Sequence, residues 1–146
     1  MKHEKGFSLL ELLIVVAIIL IIATIAVPVL LRSRQSANES TAVADLRTIG
    51  TAEATYILTS SGNYGSLAEL ITAGLMDSRF SSSVSGYQYV VTPFPGGYTA
   101  AATPRGANGG RYGYYLLVDS VIRYATYTDS TCTPCYPVGL SGDPVR

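Results

Sequence analysis

The sequence predicts an α+β protein in which one long N-terminal α-helix, apolar in its first half, packs on a small four-stranded antiparallel sheet. Two observations carry this prediction. A mostly apolar run at 7–31 is followed by apolar residues at helical spacing, and together they predict one helix from about Phe7 to about Thr59. After Gly86, apolar residues recur at every second position, which is the period of a half-buried β-strand. The chain has 146 residues, which is enough for one domain.

The first half of the predicted helix is long and apolar enough to cross a lipid bilayer. The run from Leu12 to Leu31 contains 20 residues and no charge, and about 20 apolar residues span the hydrocarbon core of a membrane. Lys2 and Lys5 precede this run, so the positive-inside rule places Met1 in the cytoplasm and the rest of the chain outside. The run is too long for a cleaved secretory signal and lacks the small-residue cleavage site of one.

The second half of the helix is expected to be amphipathic and to end at the breaker-rich residues 60–65. Ser66 and Glu69 then form a capping-box pattern, which predicts a short helix that stops near Gly74. The apolar residues that recur at helical spacing in the second half of the long helix are Val43, Leu46, Ile49, Ala52, Tyr56 and Ile57.

Four antiparallel strands are expected after the short helix. Two alternating segments begin at Tyr87 and Tyr98, and Gly and Pro clusters separate them. Two further runs, 114–118 and 121–126, are joined by residues 119–120, which suggests a tight hairpin. We expect the apolar face of these strands to cover the second half of the long helix.

Composition excludes several classes of function. Ten basic residues balance ten acidic ones, and no basic patch indicates a nucleic-acid partner. The chain has one histidine, His3, and no Gly-rich phosphate loop follows a predicted strand, so we expect no enzyme and no nucleotide site. Asp119, Asp129 and Asp143 lack the loop spacing of a calcium site, so we expect no metal and no cofactor.

The pattern Cys132-Thr-Pro-Cys135 has three interpretations. A zinc site needs about four ligands, which the composition does not provide. A thioredoxin-like redox centre would lie at the start of a helix after a strand, whereas this motif lies in a Pro-rich tail that begins at Thr128. The sequence favours a local disulfide that pins the tail and stabilises it modestly, because the closed loop is short. A membrane-anchored periplasmic redox or binding domain that uses Cys132 and Cys135 remains an alternative function.

The N-terminus resembles the type IV pilin family, whose prepilins carry a class III leader. Members of the pilin and pseudopilin superfamily have a short basic leader that ends in Gly, then a Phe, and then a Glu four residues on. The resemblance implies a leader at 1–6, a transmembrane or filament-core segment at 7–31, an amphipathic half-helix at 32–59 and a globular head at 60–146. The matching residues, which the apolar run follows, are Lys5-Gly6-Phe7-Ser8-Leu9-Leu10-Glu11.

The resemblance also assigns roles to the residues around the end of the leader. It implies that a prepilin peptidase cleaves between Gly6 and Phe7 and methylates the new amine of Phe7. Glu11 is a carboxylate in an apolar segment, where a charge is costly. Phe7 and Glu11 are four residues apart and would share a helix face. The amine of one subunit would pair with Glu11 of its neighbour and fix the register of the helices. The alternative is a solvated carboxylate near the membrane surface.

Pro28 lies inside the apolar helix, where it removes one backbone donor and frees the carbonyl group of Thr24. One interpretation is a kink of the kind that transmembrane helices tolerate. The other is a point at which the helix melts in a packed filament.

The resemblance implies a structural subunit of a type IV pilus. The precursor would cross the inner membrane once, with its N-terminus in the cytoplasm, and the assembled form would be extracellular. The implied partners are further copies of the chain, the prepilin peptidase, and a pilus assembly platform with its assembly and retraction ATPases. A pseudopilin of a type II secretion system and a minor pilin share these features and remain alternatives.

Overall fold

The computed structural model describes residues 6–106, 108–126 and 141–145. The chain divides into two compact units, Met1–Ser33 and Arg34–Arg146. One α-helix, α1 (Leu9–Thr59), contributes residues to both units. The expected single long helix is therefore confirmed, and it begins two residues after Phe7.

The second unit contains the remaining described elements. A short helix and a 3-10 helix follow α1, and the strands after them form one antiparallel sheet in the order β1-β2-β3-β4-β5. Each strand therefore pairs with its neighbour in sequence, so the expected antiparallel sheet is confirmed. The elements are α2 (Leu67–Thr72), a 3-10 helix (Ser78–Ser81), β1 (Tyr87–Phe94), β2 (Gly97–Pro104), β3 (Tyr112–Leu117), β4 (Ile122–Thr126) and β5 (Asp143–Pro144).

The described part of the sheet has five strands, so the expectation of four is corrected. The additional strand, β5, has only two residues, which pair with Arg123 and Tyr124 of β4. Two residues are too few to show the alternation that identifies a strand in a sequence, and one of the two is a proline, which strands seldom contain. For these reasons the sequence pattern predicted an irregular tail here.

The capping box that the sequence predicted is present at the start of α2. The backbone N–H of Glu69 donates to Ser66 Oγ at 3.4 Å, and the backbone N–H of Ser66 donates to Glu69 Oε2 at 2.7 Å. These two bonds satisfy donors that the first turn of a helix leaves free. Gly74, at a φ of 73°, follows the helix as expected.

The turns between β1 and β2 and between β3 and β4 differ slightly from the sequence-based boundaries. β1 extends through residues 93–94, so that only Pro95 and Gly96 remain between Phe94 and its partner Gly97. The turn between β3 and β4 is wider than expected, because Val118 and Val121 lie outside the strands. These boundaries shift by one or two residues, which is the usual uncertainty of element ends.

The core of the second unit forms between one face of α1 and the inner face of the sheet. Along β1 from Tyr87 to Thr92, buried and exposed residues alternate, which confirms the period of two. A Cβ atom at Gly50 would lie 3.3 Å from both Leu116 Cδ2 and Tyr98 Oη, so the helix backbone comes close to the sheet at this position. The buried residues of this core include Ala42, Leu46, Ile49 and Ala52 of α1 with Leu70, Phe80, Tyr87, Tyr89, Ala100 and Leu116.

Truncating a buried leucine of α1 is expected to destabilise the second unit. Leu46 is fully buried, so Leu46→Ala leaves a cavity and should lower the free energy of unfolding by about 2–5 kcal/mol. Leu58, on the same helix, is 83% exposed, and Leu58→Ala should change that free energy by less than about 0.5 kcal/mol. Denaturant unfolding of the full chain in detergent, followed by near-UV circular dichroism, measures both. Equal effects of the two substitutions would contradict the assigned helix face.

Candidate functional site

The most prominent surface of the described chain is the apolar first part of α1 together with the residues before it. Every residue from Gly6 to Leu31 is exposed except Ala23, which is partly exposed. This helix is the one described element that is long and apolar enough to cross a membrane, by length and composition. An exposed apolar surface of this extent marks a membrane or protein interface. We call residues 7–31 the apolar segment.

The predicted cleavage position lies in an accessible stretch before the helix. Phe7 is 77% exposed, and a Cβ atom at Gly6 would have no neighbour within 4 Å. The backbone N–H of Leu12 donates to the carbonyl group of Ser8 at 3.2 Å, which is the first helical bond. The peptide bond between Gly6 and Phe7 is therefore free of helical hydrogen bonds and open to solvent.

Glu11 lies in the first turn of α1 and is exposed. The described residues of the chain supply no ion pair to it. Phe7 precedes the first helical residue, so the structure does not place Phe7 and Glu11 together on a helix face in this uncleaved chain. The pairing of a Phe7 amine with Glu11 of another subunit stays a prediction.

Pro28 does not interrupt α1, because the helix is continuous on both sides of it. Four residues earlier, the hydroxyl group of Thr24 donates to the carbonyl group of Ile21 at 2.7 Å. The isolated chain therefore keeps Pro28 within a continuous α-helix, as transmembrane helices often do. Melting of this helix in a packed filament stays a prediction.

Three acidic side chains are buried on the face of α1 that packs on the sheet, and the sequence analysis did not identify them. Glu39, Asp45 and Glu53 are at most 8% exposed. Each lies three or four residues from a core residue of the same helix, and this spacing could have revealed them. Buried carboxylates need hydrogen-bond partners, and other residues of the second unit supply them in three different ways.

Glu39 binds Arg111, which comes just before β3. Glu39 Oε1 accepts hydrogen bonds from the backbone N–H and from Nε of Arg111, at 2.8 and 3.1 Å. Glu39 Oε2 accepts a third from Nη2 at 3.0 Å. The hydrogen bonds to this carboxylate raise the pKa of the Arg111 guanidinium group. These three hydrogen bonds between Arg111 and the Glu39 carboxylate fix the start of β3 against α1.

Asp45 and Tyr89 form the second connection between α1 and the sheet. The Tyr89 hydroxyl group donates to Asp45 Oδ2 at 2.8 Å. Burial, with a further contribution from this bond, raises the pKa of Tyr89. The hydroxyl group therefore remains a donor at physiological pH.

Of the three buried acids, Glu53 is the one with a carboxylate oxygen that has no hydrogen-bond partner among the described residues. Its side chain is fully buried. Oε2 accepts a hydrogen bond from the backbone N–H of Gly65 at 3.0 Å, whereas Oε1 has no partner among the described residues. Burial raises the pKa of this carboxyl group. Glu53 thus attaches the end of the loop that follows α1 to the helix itself.

The remaining candidate residues are only partly covered by the structure. Cys132, Cys135 and Asp129 lie outside the described residues. Asp119 pairs with Arg123 at 2.7 Å, and Asp143 lies in β5. Within the described ranges, no three His, Cys, Asp or Glu residues are grouped so that they could hold a metal ion.

Two comparisons with known proteins match the chain in sequence. Residues 1–27 match the family described as "Prokaryotic N-terminal methylation motif". The chain is 34% identical over 111 residues to the "Type IV wide pilus major component PilA4" of Thermus thermophilus, and the match covers 71% of this chain and 85% of that protein. No solved structure matches the chain significantly.

The stability contributed by Glu53 should depend on pH. Because its pKa in the folded chain is raised above the ordinary value of 4.5, the group ionises first in the unfolded chain as the pH rises. Unfolding then releases a proton, so the wild type loses stability relative to Glu53→Gln between about pH 4 and about pH 7. The free energy of unfolding of the full chain in detergent, measured at both pH values, tests this.

Glu69 provides a control with the opposite sign. Its hydrogen bonds from Ser66 lower the pKa of its carboxyl group. Relative to Glu69→Gln, the wild type should therefore gain stability over the same rise in pH. The same pH trend for both variants would contradict the assignment of a raised pKa to Glu53.

Proposed function

We propose that this chain, which belongs to the type IV pilin family, is a structural subunit of a pilus and that its apolar segment forms the filament core. The observation that carries the proposal is the exposure of residues 7–31, which the described part of the chain does not cover and which are all exposed except the partly exposed Ala23. The similarity to a protein named as the major component of a pilus supports the assembly of this chain into a filament.

The apolar segment has two successive environments in this proposal. In the precursor it crosses the inner membrane, with the leader 1–6 in the cytoplasm. In the filament, apolar segments of neighbouring copies cover one another. Both environments bury the same side chains away from water, so transfer between them exposes no apolar surface to solvent.

Register between neighbouring subunits would come from one pair of charges. Cleavage after Gly6 by a prepilin peptidase gives Phe7 a cationic amine, which the same enzyme methylates. Glu11 has no cation among the described residues of its own chain and can accept one from another copy. An unpaired charge in an apolar bundle is unfavourable, so docking is favoured where the amine of one subunit meets Glu11 of the next.

Assembly requires partners beyond further copies of the chain. We assign the energy for assembly and retraction to ATPases of a pilus assembly platform. A pseudopilin of a type II secretion system would share Gly6, Phe7 and Glu11, and its filaments would not dominate the cell surface. The name of the pilus relative favours the pilus subunit over this alternative.

The mature protein is expected to begin at methylated Phe7. N-terminal mass analysis of sheared surface filaments measures this directly. Gly6→Val adds a branched side chain at the cleavage position and should leave the leader attached, whereas Ser8→Ala, on the other side of the same bond, should mature normally. An intact Met1 in surface filaments of the wild type would refute the proposal.

Glu11→Val is expected to abolish filaments while membrane insertion stays normal, because the register charge is lost and the apolar segment is extended. The yield of sheared filaments, compared with the amount of the chain in the membrane fraction, is the measurement. Thr24→Val is a matched control, because it removes a polar group whose hydroxyl is satisfied within the helix. Wild-type filament yield from Glu11→Val would defeat the register argument.

A further inference from the structure

The second unit carries a polar cleft of about 310 Å³ that is lined by two arginines. Arg34 comes from α1, and Arg105 comes from the loop that follows β2. Both are exposed, and the described residues give neither guanidinium group an ion pair or a hydrogen bond. The other described side chains that line the cleft are neutral.

This pair of arginines differs from others in the same unit. Arg111 and Arg123 each bind a carboxylate of the chain, at 3.0 and 2.7 Å. Arg34 and Arg105 instead bring two positive charges to one cleft without a counter-charge among the described lining residues. Like charges at one site repel each other, and an anion between them removes that repulsion.

Gly86 and Gly109, which also line the cleft, come close to each other. Gly86, at a φ of 76°, lies so close to Gly109 that a Cβ atom on it would be 2.9 Å from Gly109 Cα. Asn38 Nδ2 donates to the carbonyl group of Gly109 at 2.9 Å, and the backbone N–H of Arg105 donates to the carbonyl group of Gly86 at 2.7 Å. The loop before β1, which contains Gly86, and the loop after β2, which contains Arg105 and Gly109, are therefore held together in the absence of a ligand. This lowers the entropic cost of ordering the cleft when a ligand binds.

The position of Arg34 in the sequence indicates which anion is available. Arg34 follows the last residue of the uncharged run, Leu31, by three positions. In the membrane-inserted precursor it belongs to the exported side, where the positive-inside rule predicts few basic residues near the membrane. Lipid phosphates occupy the interface directly beyond the hydrocarbon core.

We propose that Arg34 and Arg105 together bind the phosphodiester of an anionic membrane phospholipid while the subunit resides in the inner membrane. A guanidinium group offers paired N–H donors that match two phosphate oxygens. The inference rests on the proposed function, because a membrane-inserted precursor is the state that meets this ligand. Lipid binding at the cleft adds to the anchoring of the precursor that the apolar segment provides, and extraction into a filament releases the lipid.

The test uses the full chain in detergent micelles, titrated with short-chain phosphatidylglycerol. Binding is measured by nuclear magnetic resonance, from the backbone amide signals of Gly86 and Gly109, which line the cleft. We expect these signals to shift saturably with phosphatidylglycerol. Parallel titrations with short-chain phosphatidylcholine and with inorganic phosphate should give much weaker shifts. The anionic lipid combines a net negative charge with an acyl anchor in the micelle, whereas each comparison ligand lacks one of these.

Two arginine variants test whether the lipid binds at this cleft. Arg34→Gln combined with Arg105→Gln should weaken binding about tenfold or more, since each substitution removes charge-assisted hydrogen bonds. Arg47→Gln, an exposed arginine of the same helix outside this cleft, is the matched control and should bind like the wild type. Unchanged far-UV circular dichroism of all variants shows that the fold is retained.

Three results would overturn the inference. They are equal shifts with phosphatidylcholine, shifts with inorganic phosphate as strong as those with the anionic lipid, and undiminished lipid binding by the double variant. The titration needs neither cleavage nor polymerisation. A chain that matures at Phe7 and forms filaments but does not bind the lipid would therefore refute this inference alone.

Discussion

The constraint on which the rest of the structure depends is an apolar surface that the described fold does not cover. Residues 9–31 present Leu, Ile and Val on every side of α1, whereas from Arg34 onward the same helix buries one face against a sheet. Water is unfavourable for the first part, so a membrane or other copies of the chain must surround it. Membership of the pilin family fits this requirement, because a filament subunit needs an environment beyond its own chain.

The second unit, in turn, is held together by hydrogen bonds between α1 and the rest of the unit as well as by apolar packing. Glu39, Asp45 and Glu53 lie among core residues of α1 and reach respectively an arginine before β3, a tyrosine of β1 and the loop before α2. Apolar contacts alone tolerate sliding of a helix across a sheet, whereas these bonds have fixed lengths and directions. We interpret the three acids as residues that define how the sheet is placed on its segment of the helix.

Much of this organisation was predictable from sequence, because the signals are local. Helical periodicity up to Thr59, the capping box from Ser66 to Glu69 and the alternation after Tyr87 each depend on neighbouring residues. The two-residue strand β5 was missed because its pairing with β4 is a contact between distant parts of the chain. The buried acids were missed because an acidic residue on an amphipathic helix usually faces water. Their spacing from core residues was a signal of burial, but their partners come from distant parts of the chain.

The sequence by itself determined the apolar segment and the N-terminal motif that contains Gly6, Phe7 and Glu11, because continuous runs and fixed spacings need no partner to be recognised. Only the tertiary structure decided that Glu39 meets Arg111 across 72 positions of the chain. It alone also brought Arg34 and Arg105 to one cleft. Such contacts follow from how the sheet packs on the helix, and that geometry is a property of the whole second unit rather than of any one segment.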